Sequence, residues 1–122
     1  MRSQAAFNDF CAGLTGATHH LLWGGHDVWK VGDKMFAVAG FDPSEGPRIT
    51  FKCSDISFEI LQEQPGLRKA PYLAARGAPW IQHFEEPGLD DAALQDYLRE
   101  SHRIVGETLS KRKQKELGLL AD

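Results

Sequence analysis

Near the N-terminus the apolar positions recur with helical spacing: in SQAAFNDFCAGLTG, Phe7, Phe10, Cys11 and Leu14 fall at i, i+3, i+4 and i+7. Ser3 supplies an N-cap and Gly16 a stop. The pattern then turns to alternation. DVWKVGDKMFAVAGF reads as two short strands around Gly32-Asp33, a two-residue turn that can take positive φ and match strand twist. A strand around HHLLW precedes this hairpin. After the loop-like DPSEGP, RITFKC alternates again and predicts the next antiparallel strand. SDISFEILQEQPG has a Ser54 cap, Ile56, Ile60 and Leu61 on one side and a Pro65-Gly66 terminator, which predicts a short helix. PWIQHF is a further strand. From a cap at Asp90 or Asp91, Leu94, Tyr97, Leu98, Val105 and Leu109 keep helical spacing into SKRKQKELGLL, which predicts one long amphipathic helix fraying near Gly118.

The order is α-β-β-β-α-β-α, with an extra short strand near Tyr72. It predicts an α+β fold of two layers, a single antiparallel sheet with helices packed on one face and water on the other. Turn arithmetic sets Trp29 opposite Phe36 and Lys30 opposite Met35. A symmetric next loop sets Val38 opposite Phe51 and Ala37 opposite Lys52. Trp29, Phe36, Val38, Ile49 and Phe51 then share the core face with Leu94, Tyr97, Leu98 and Val105 of the last helix. Lys30, Met35, Arg48, Thr50 and Lys52 take the open face, and Lys34 lies across the sheet from Lys30.

A length of 122 residues, 42% hydrophobic and 25% charged, suits one folded domain over residues 1–122. Fourteen Lys and Arg against seventeen Asp and Glu leave a net charge of -3, which weighs against a strong non-specific polyanion binder. Any nucleic-acid site must be a local patch. Cys11 and Cys53 lack metal or disulfide spacing and predict buried, reduced thiols. With no signal-like apolar core and no run of roughly 20 apolar residues, a cytoplasmic protein without a membrane partner is expected.

No glycine-rich phosphate loop, G-x-S-x-G or H-E-x-x-H occurs, so neither an enzyme nor a cofactor is expected. His19, His20 and His26 lie near Asp27, but adjacent strand residues point to opposite faces and no metal site is predicted. Ser101 and His102 are neighbours on a helix, pointing about 100 degrees apart, so they predict packing rather than a catalytic dyad.

Two stretches carry local positive charge. RESHRIVGETLSKRKQK holds six basic residues and two acidic ones, an excess of +4 that suits a solvated helix face. LRKAPYLAARGAPWIQH interleaves Arg68, Lys69 and Arg76 with Tyr72 and Trp80, a composition that can neutralise phosphates and stack on bases. Its prolines equally suit a connection held down by Tyr72, Leu73 and Trp80.

VWKVGDKMFAVAG, ITFKCSDISFEIL, PGLRKAPYLAARGAPWIQH and LRESHRIV occur in this order and cover nearly the whole chain. In this the sequence resembles the MmcQ/YjbR family, small bacterial proteins described as DNA-binding. The resemblance implies one sheet with helices packed on it, DNA association without a known sequence target, and matching positions at Lys34, Lys52, Tyr72, Trp80 and Ser101. Where the family commonly has Tyr after that serine, this chain has His102. Together with the open-face cations, the expected nucleic-acid contacts are Lys30, Lys34, Arg48, Lys52, Arg68, Lys69, Tyr72, Arg76 and Trp80. The alternative is a protein-interaction or dimerisation module using the open sheet face.

Overall fold

The turn at Gly32-Asp33 sets the frame of the sheet. Both residues sit at positive φ (+53° and +70°), which lets a two-residue turn follow the right-handed twist of its strands. It joins β2 (His26–Val31) to β3 (Lys34–Gly40), which leave the turn as Val31↔Lys34 and Lys30↔Met35. In the computed structural model, which describes residues 1–121, the pair is extended by β1 (Ala17–Leu22), β4 (Arg48–Lys52), β5 (Leu67–Lys69) and β6 (Trp80–His83). The six strands are ordered β1-β2-β3-β4-β6-β5, and every pairing is antiparallel. Helices α1 (Gln4–Ala12), α2 (Asp55–Leu61), α3 (Asp91–Gly106) and α4 (Lys111–Glu116) complete an α+β fold with the helices on one side. α3 crosses β3 and β4, α1 lies beside β1, and α2 beside β5 and β6.

Three details differ from the sequence expectation. The HHLLW strand is β1, so four strands rather than three precede α2. The extra strand is Leu67–Lys69, because Tyr72 is at φ +67° and Pro71 has no amide to give a ladder. The last helix is two helices. Ser110 caps α4 by accepting from the Lys113 amide (3.1 Å), and buried Gln114 donates to the Leu109 carbonyl (2.8 Å), closing the corner.

The register also departs from the turn arithmetic. After Lys30↔Met35 the pairing skips Phe36, and Trp29 meets Ala37. This bulge adds one residue to β3, so Ala37 pairs with Phe51 and Val38 with Thr50. Val38 therefore belongs to the open face, and small Ala37 and Ala39 take its expected place under the helices. Lys30, Met35, Arg48, Thr50 and Lys52 keep the open face, and Lys34 keeps the other.

Small side chains let α3 come close. Ser101, fully buried, donates its hydroxyl to the Phe36 carbonyl (2.6 Å) and accepts from the Lys52 amide (2.9 Å). Phe36 and Lys52 would be the next partners of the β3–β4 register, which ends at Ala37↔Phe51, so the serine relays between the two backbone groups just beyond it. Phe36 packs edge-on against His102 (5.2 Å), whose Nε2 donates to the Thr15 carbonyl (2.6 Å). Ser101 and His102 thus serve packing.

The core joins Phe7 and Cys11, Trp29, Phe36, Ile49, Phe51, Ile81, and Leu94, Leu98 and Val105, with Tyr97 stacked on Phe51 (5.3 Å). On α2 the inward pair is Phe58 and Leu61, while Ile56 and Ile60 are 76% and 57% exposed. A helix of seven residues has one inward turn, and the Phe58–Leu61 pair buries more apolar area there than two isoleucines would.

Asp27, only 1% exposed, ties α1 to the sheet. It accepts from His19 Nε2 (2.7 Å), Gln4 Nε2 (2.8 Å) and Asn8 Nδ2 (3.2 Å), and Trp29 Nε1 donates to Asn8 Oδ1 (2.8 Å). Burial pushes its carboxyl up, but hydrogen bonds from His19, Gln4 and Asn8 and the charge of His19 win and hold it below its ordinary value. Burial, then the neighbouring Arg2 guanidinium, hold the buried His83 imidazole below its ordinary value.

Phe36→Ala or Phe51→Ala is expected to cost roughly 3–5 kcal/mol in chemical denaturation. Ser101→Ala, which strands a buried amide and carbonyl, should cost about 1–3 kcal/mol. An unchanged midpoint in these variants would overturn the packing described.

Stability should also fall on acidification in two stages. Both His83 and Asp27 have folded values depressed below their unfolded ones, so the unfolded chain binds more protons. Their stabilisation is present above the unfolded values and lost as pH falls through the folded ones. Denaturation across pH should show a first loss below about 6.5, absent in His83→Gln, and a second below about 4, absent in Asp27→Asn.

Candidate functional site

Alternation sends every second strand residue to the face away from the helices. One row crosses all six strands there: His20, Val28, Val38, Thr50, Gln82 and Arg68 are paired in succession. Lys30 and the Lys52–Trp80 pair lie on one side of this row, and His26, Gly40 and Arg48 on the other.

The β5–β6 end is tied by polar contacts. Arg68 donates through Nε (3.0 Å) and Nη2 (2.6 Å) to Gln82 Oε1, and Gln82 Nε2 donates to Thr50 Oγ1 (3.2 Å). The Arg68 guanidinium lies 4.2 Å from the Phe84 ring centroid. Burial and then the charge of Arg48 hold Arg68 below its ordinary value, with Glu85 and Glu45 opposing. The two arginines lie on the same face, on the strands either side of β6. Arg48 makes a loose pair with Glu45 (3.6 Å), and among the described residues its buried Nε has no partner. Lys52 Nζ sits 6.0 Å from the Trp80 ring centroid.

Beside the arginines the face opens into a cleft of about 880 Å³. Val38, Arg48, Thr50 and Gln82 form its floor, and its walls come from residues 23–26, residues 40–46 and residues 71–73. Trp23 and Tyr72 stand on these walls, 62% and 96% exposed, both in the left-handed region (φ +50° and +67°). Asp42 and Glu45 also line the cleft. Asp42 accepts from the Ser44 amide (2.9 Å) and hydroxyl (2.8 Å), which hold its carboxyl below the usual range.

The fold thus gathers Lys30, Arg48, Lys52, Arg68 and Trp80 on one face, with Tyr72 on the cleft wall. It separates three other expected contacts from them. Lys34 faces the helix side and donates to Thr108 Oγ1 (3.1 Å). Lys69 lies across β5 from Arg68, opposite Ile81, and Arg76 sits outside the cleft in the exposed turn Ala75–Gly77. Tyr72 is no anchor for its segment; buried Ala70 and Ala74 and half-buried Leu73 hold it. Trp23, Gln82 and Phe84 were not legible as site residues, although a tryptophan beside Gly24-Gly25 is a signal for an aromatic displayed on a turn.

Other candidate chemistry goes elsewhere. His19 and His20 point to opposite faces, and no group of three or more His, Cys, Asp or Glu among the described residues could hold a metal. The basic run near the C-terminus is laced with ion pairs: Arg99 with Asp96 (2.8 Å), Arg103 with Glu100 and Glu107, and Arg112 with Glu116 (3.4 Å). Burial pushes the Cys11 thiol up to about 12 and the Cys53 thiol, also near Asp55, up to about 11. No helix among the described residues is long and apolar enough to cross a membrane.

The family model described as YjbR matches residues 12–104. No curated protein matches the sequence. Among solved structures, Deinococcus radiodurans protein DR2400, a DUF419 domain, superposes with a TM-score of 0.85 at 20% identity, covering 98% of this chain and 91% of its own. A Pseudomonas syringae protein superposes with a TM-score of 0.68 at 17% identity, covering 84% of this chain and 98% of its own. At these identities the likeness concerns the fold.

Glycine enters the left-handed region without the penalty that a side chain brings there. Trp23→Gly and Tyr72→Gly should therefore leave the melting midpoint unchanged or add up to about 1 kcal/mol of stability. A marked loss in either variant would mean that the side chain packs rather than being displayed.

Proposed function

The chain belongs to the YjbR family, and on that footing we propose that it associates with nucleic acid, without catalysis, through the open face of its sheet. The carrying observation is the Arg48–Arg68 neighbourhood. Two guanidiniums stand on one face, on the strands either side of β6, and a phosphate offers bidentate acceptors to each. Lys30 and Lys52 extend the positive set along the face, and neither makes an ion pair among the described residues. The reading is compatible with a chain of net charge -3, because Lys30, Arg48, Lys52 and Arg68 share one face while carboxylates such as Asp55 and Glu59 lie on α2, on the helix side. Reduced thiols at Cys11 and Cys53 suit a cytoplasmic setting.

A protein-docking role for the same face has less support. Val28 and Val38 are buried, and the exposed apolar area comes from Trp23 and Tyr72 on separate segments of the cleft wall, with half-buried Met35 and Trp80.

Fluorescence anisotropy with labelled DNA across a salt series tests the reading. Log affinity should fall against log salt with a slope of about -2 to -4, as for a few phosphate contacts. Arg48→Gln and Arg68→Gln should each reduce the steepness by somewhat under one unit, alike for all sequences. Absence of binding at the lowest salt would refute the proposal.

A further inference from the structure

The cleft beside the arginines has features that a phosphate-tracking surface does not need. It is concave, and its volume of about 880 Å³ lies within the range of about 300–1,000 Å³ common to small-molecule sites. Its two displayed aromatics, Trp23 and Tyr72, come from separate segments, and both hold backbone conformations that bulky residues seldom adopt. Neither serves the core. Beside Val38 the floor offers polar atoms: Thr50 Oγ1 accepts from Gln82 and, among the described residues, donates to none.

Charge of both signs lines the cleft. Arg48 pairs loosely with Glu45 (3.6 Å), whose charge also acts on Arg68, and Asp42 lies on the same loop as Glu45. The carboxylates disfavour a cleft filled with phosphates. They suit the N–H donors of a base edge, with the phosphate outside, toward the arginines. A base inside a duplex cannot present both a free edge and a free π face to such a site.

We propose that this cleft is a subsite for one unpaired nucleotide, its base against Trp23 and Tyr72 and its phosphate at Arg48 and Arg68. The inference rests on the nucleic-acid reading above and sharpens it: the protein prefers single strands to duplex. The same chemistry would accept a free mononucleotide, so the test includes both sources.

The experiment compares a labelled single strand with a hairpin duplex of the same composition at low salt, using the wild type, Trp23→Ala and Tyr72→Ala. Both side chains are exposed, and melting curves check that the variants fold. The single strand should bind about tenfold or more tighter than the duplex. Each variant should lose about 5- to 100-fold of single-strand affinity while its duplex affinity stays unchanged. The strand should also quench tryptophan emission, and Trp23→Phe should reduce that quenching. Competition by a nucleoside monophosphate would assign the site to free nucleotides, and competition by oligonucleotides alone to strands. Equal affinity for strand and duplex, or variants that bind the strand as the wild type does, would overturn the subsite and leave the broader reading standing. No binding of either nucleic acid would overturn both.

Discussion

The hydroxyl of Ser101 stands between the Phe36 carbonyl and the Lys52 amide, where the β3–β4 ladder would otherwise continue. A serine can do this because one hydroxyl both donates and accepts. The β3–β4 pairing ends at Ala37↔Phe51, and the relay satisfies the backbone carbonyl and amide beyond it. α3 is thereby fastened to the middle of the sheet by polar contacts as well as by Leu94, Leu98 and Val105. The bulge also sets which residues of β3 face the helices. Ala37 and Ala39 leave room for the helix, and Val38 turns to the open side beside Thr50.

From this follows the separation of two surfaces. The helix side uses its polar residues for attachment. Asp27 gathers His19, Gln4 and Asn8 around one buried carboxylate, and the arrangement holds α1 against β1 and β2. Such a charge is tolerated in the interior only because three donors, one of them an imidazole, surround it. On the open side the polar residues instead leave binding capacity in place. Gln82 spans Arg68 and Thr50, fixing both, while Arg48 keeps a loose partner.

An acidic chain can carry a cationic row because carboxylates such as Asp55 and Glu59 sit on α2, on the other side of the sheet. Asp96, Glu100, Glu107 and Glu116 lie three or four residues from basic partners on the helices, close enough to pair along one helix side. The basic run near the C-terminus is largely neutralised in this way. Cations on strands have no such helical neighbours, and alternation lines up Lys30, Arg48, Lys52 and Arg68 on the same face.

Local chemistry was enough for much of this. Gly32-Asp33 dictated a hairpin, Ser3, Ser54 and the Asp90-Asp91 pair announced helix starts, alternation sorted most strand residues by face, and the order of motifs carried the family. Each depends on contacts within a few residues. The bulge at Phe36 was not legible, because the serine that supports it is 65 residues away. One extra residue was enough to move Val38 to the other face, since strand side chains alternate with a period of two. The exposure of Tyr72 and Trp23 and the neighbourhood of Arg48 and Arg68 were likewise decided in three dimensions. They arise where β4, β6 and β5 come together with two turns, and no local pattern records which distant segments will meet.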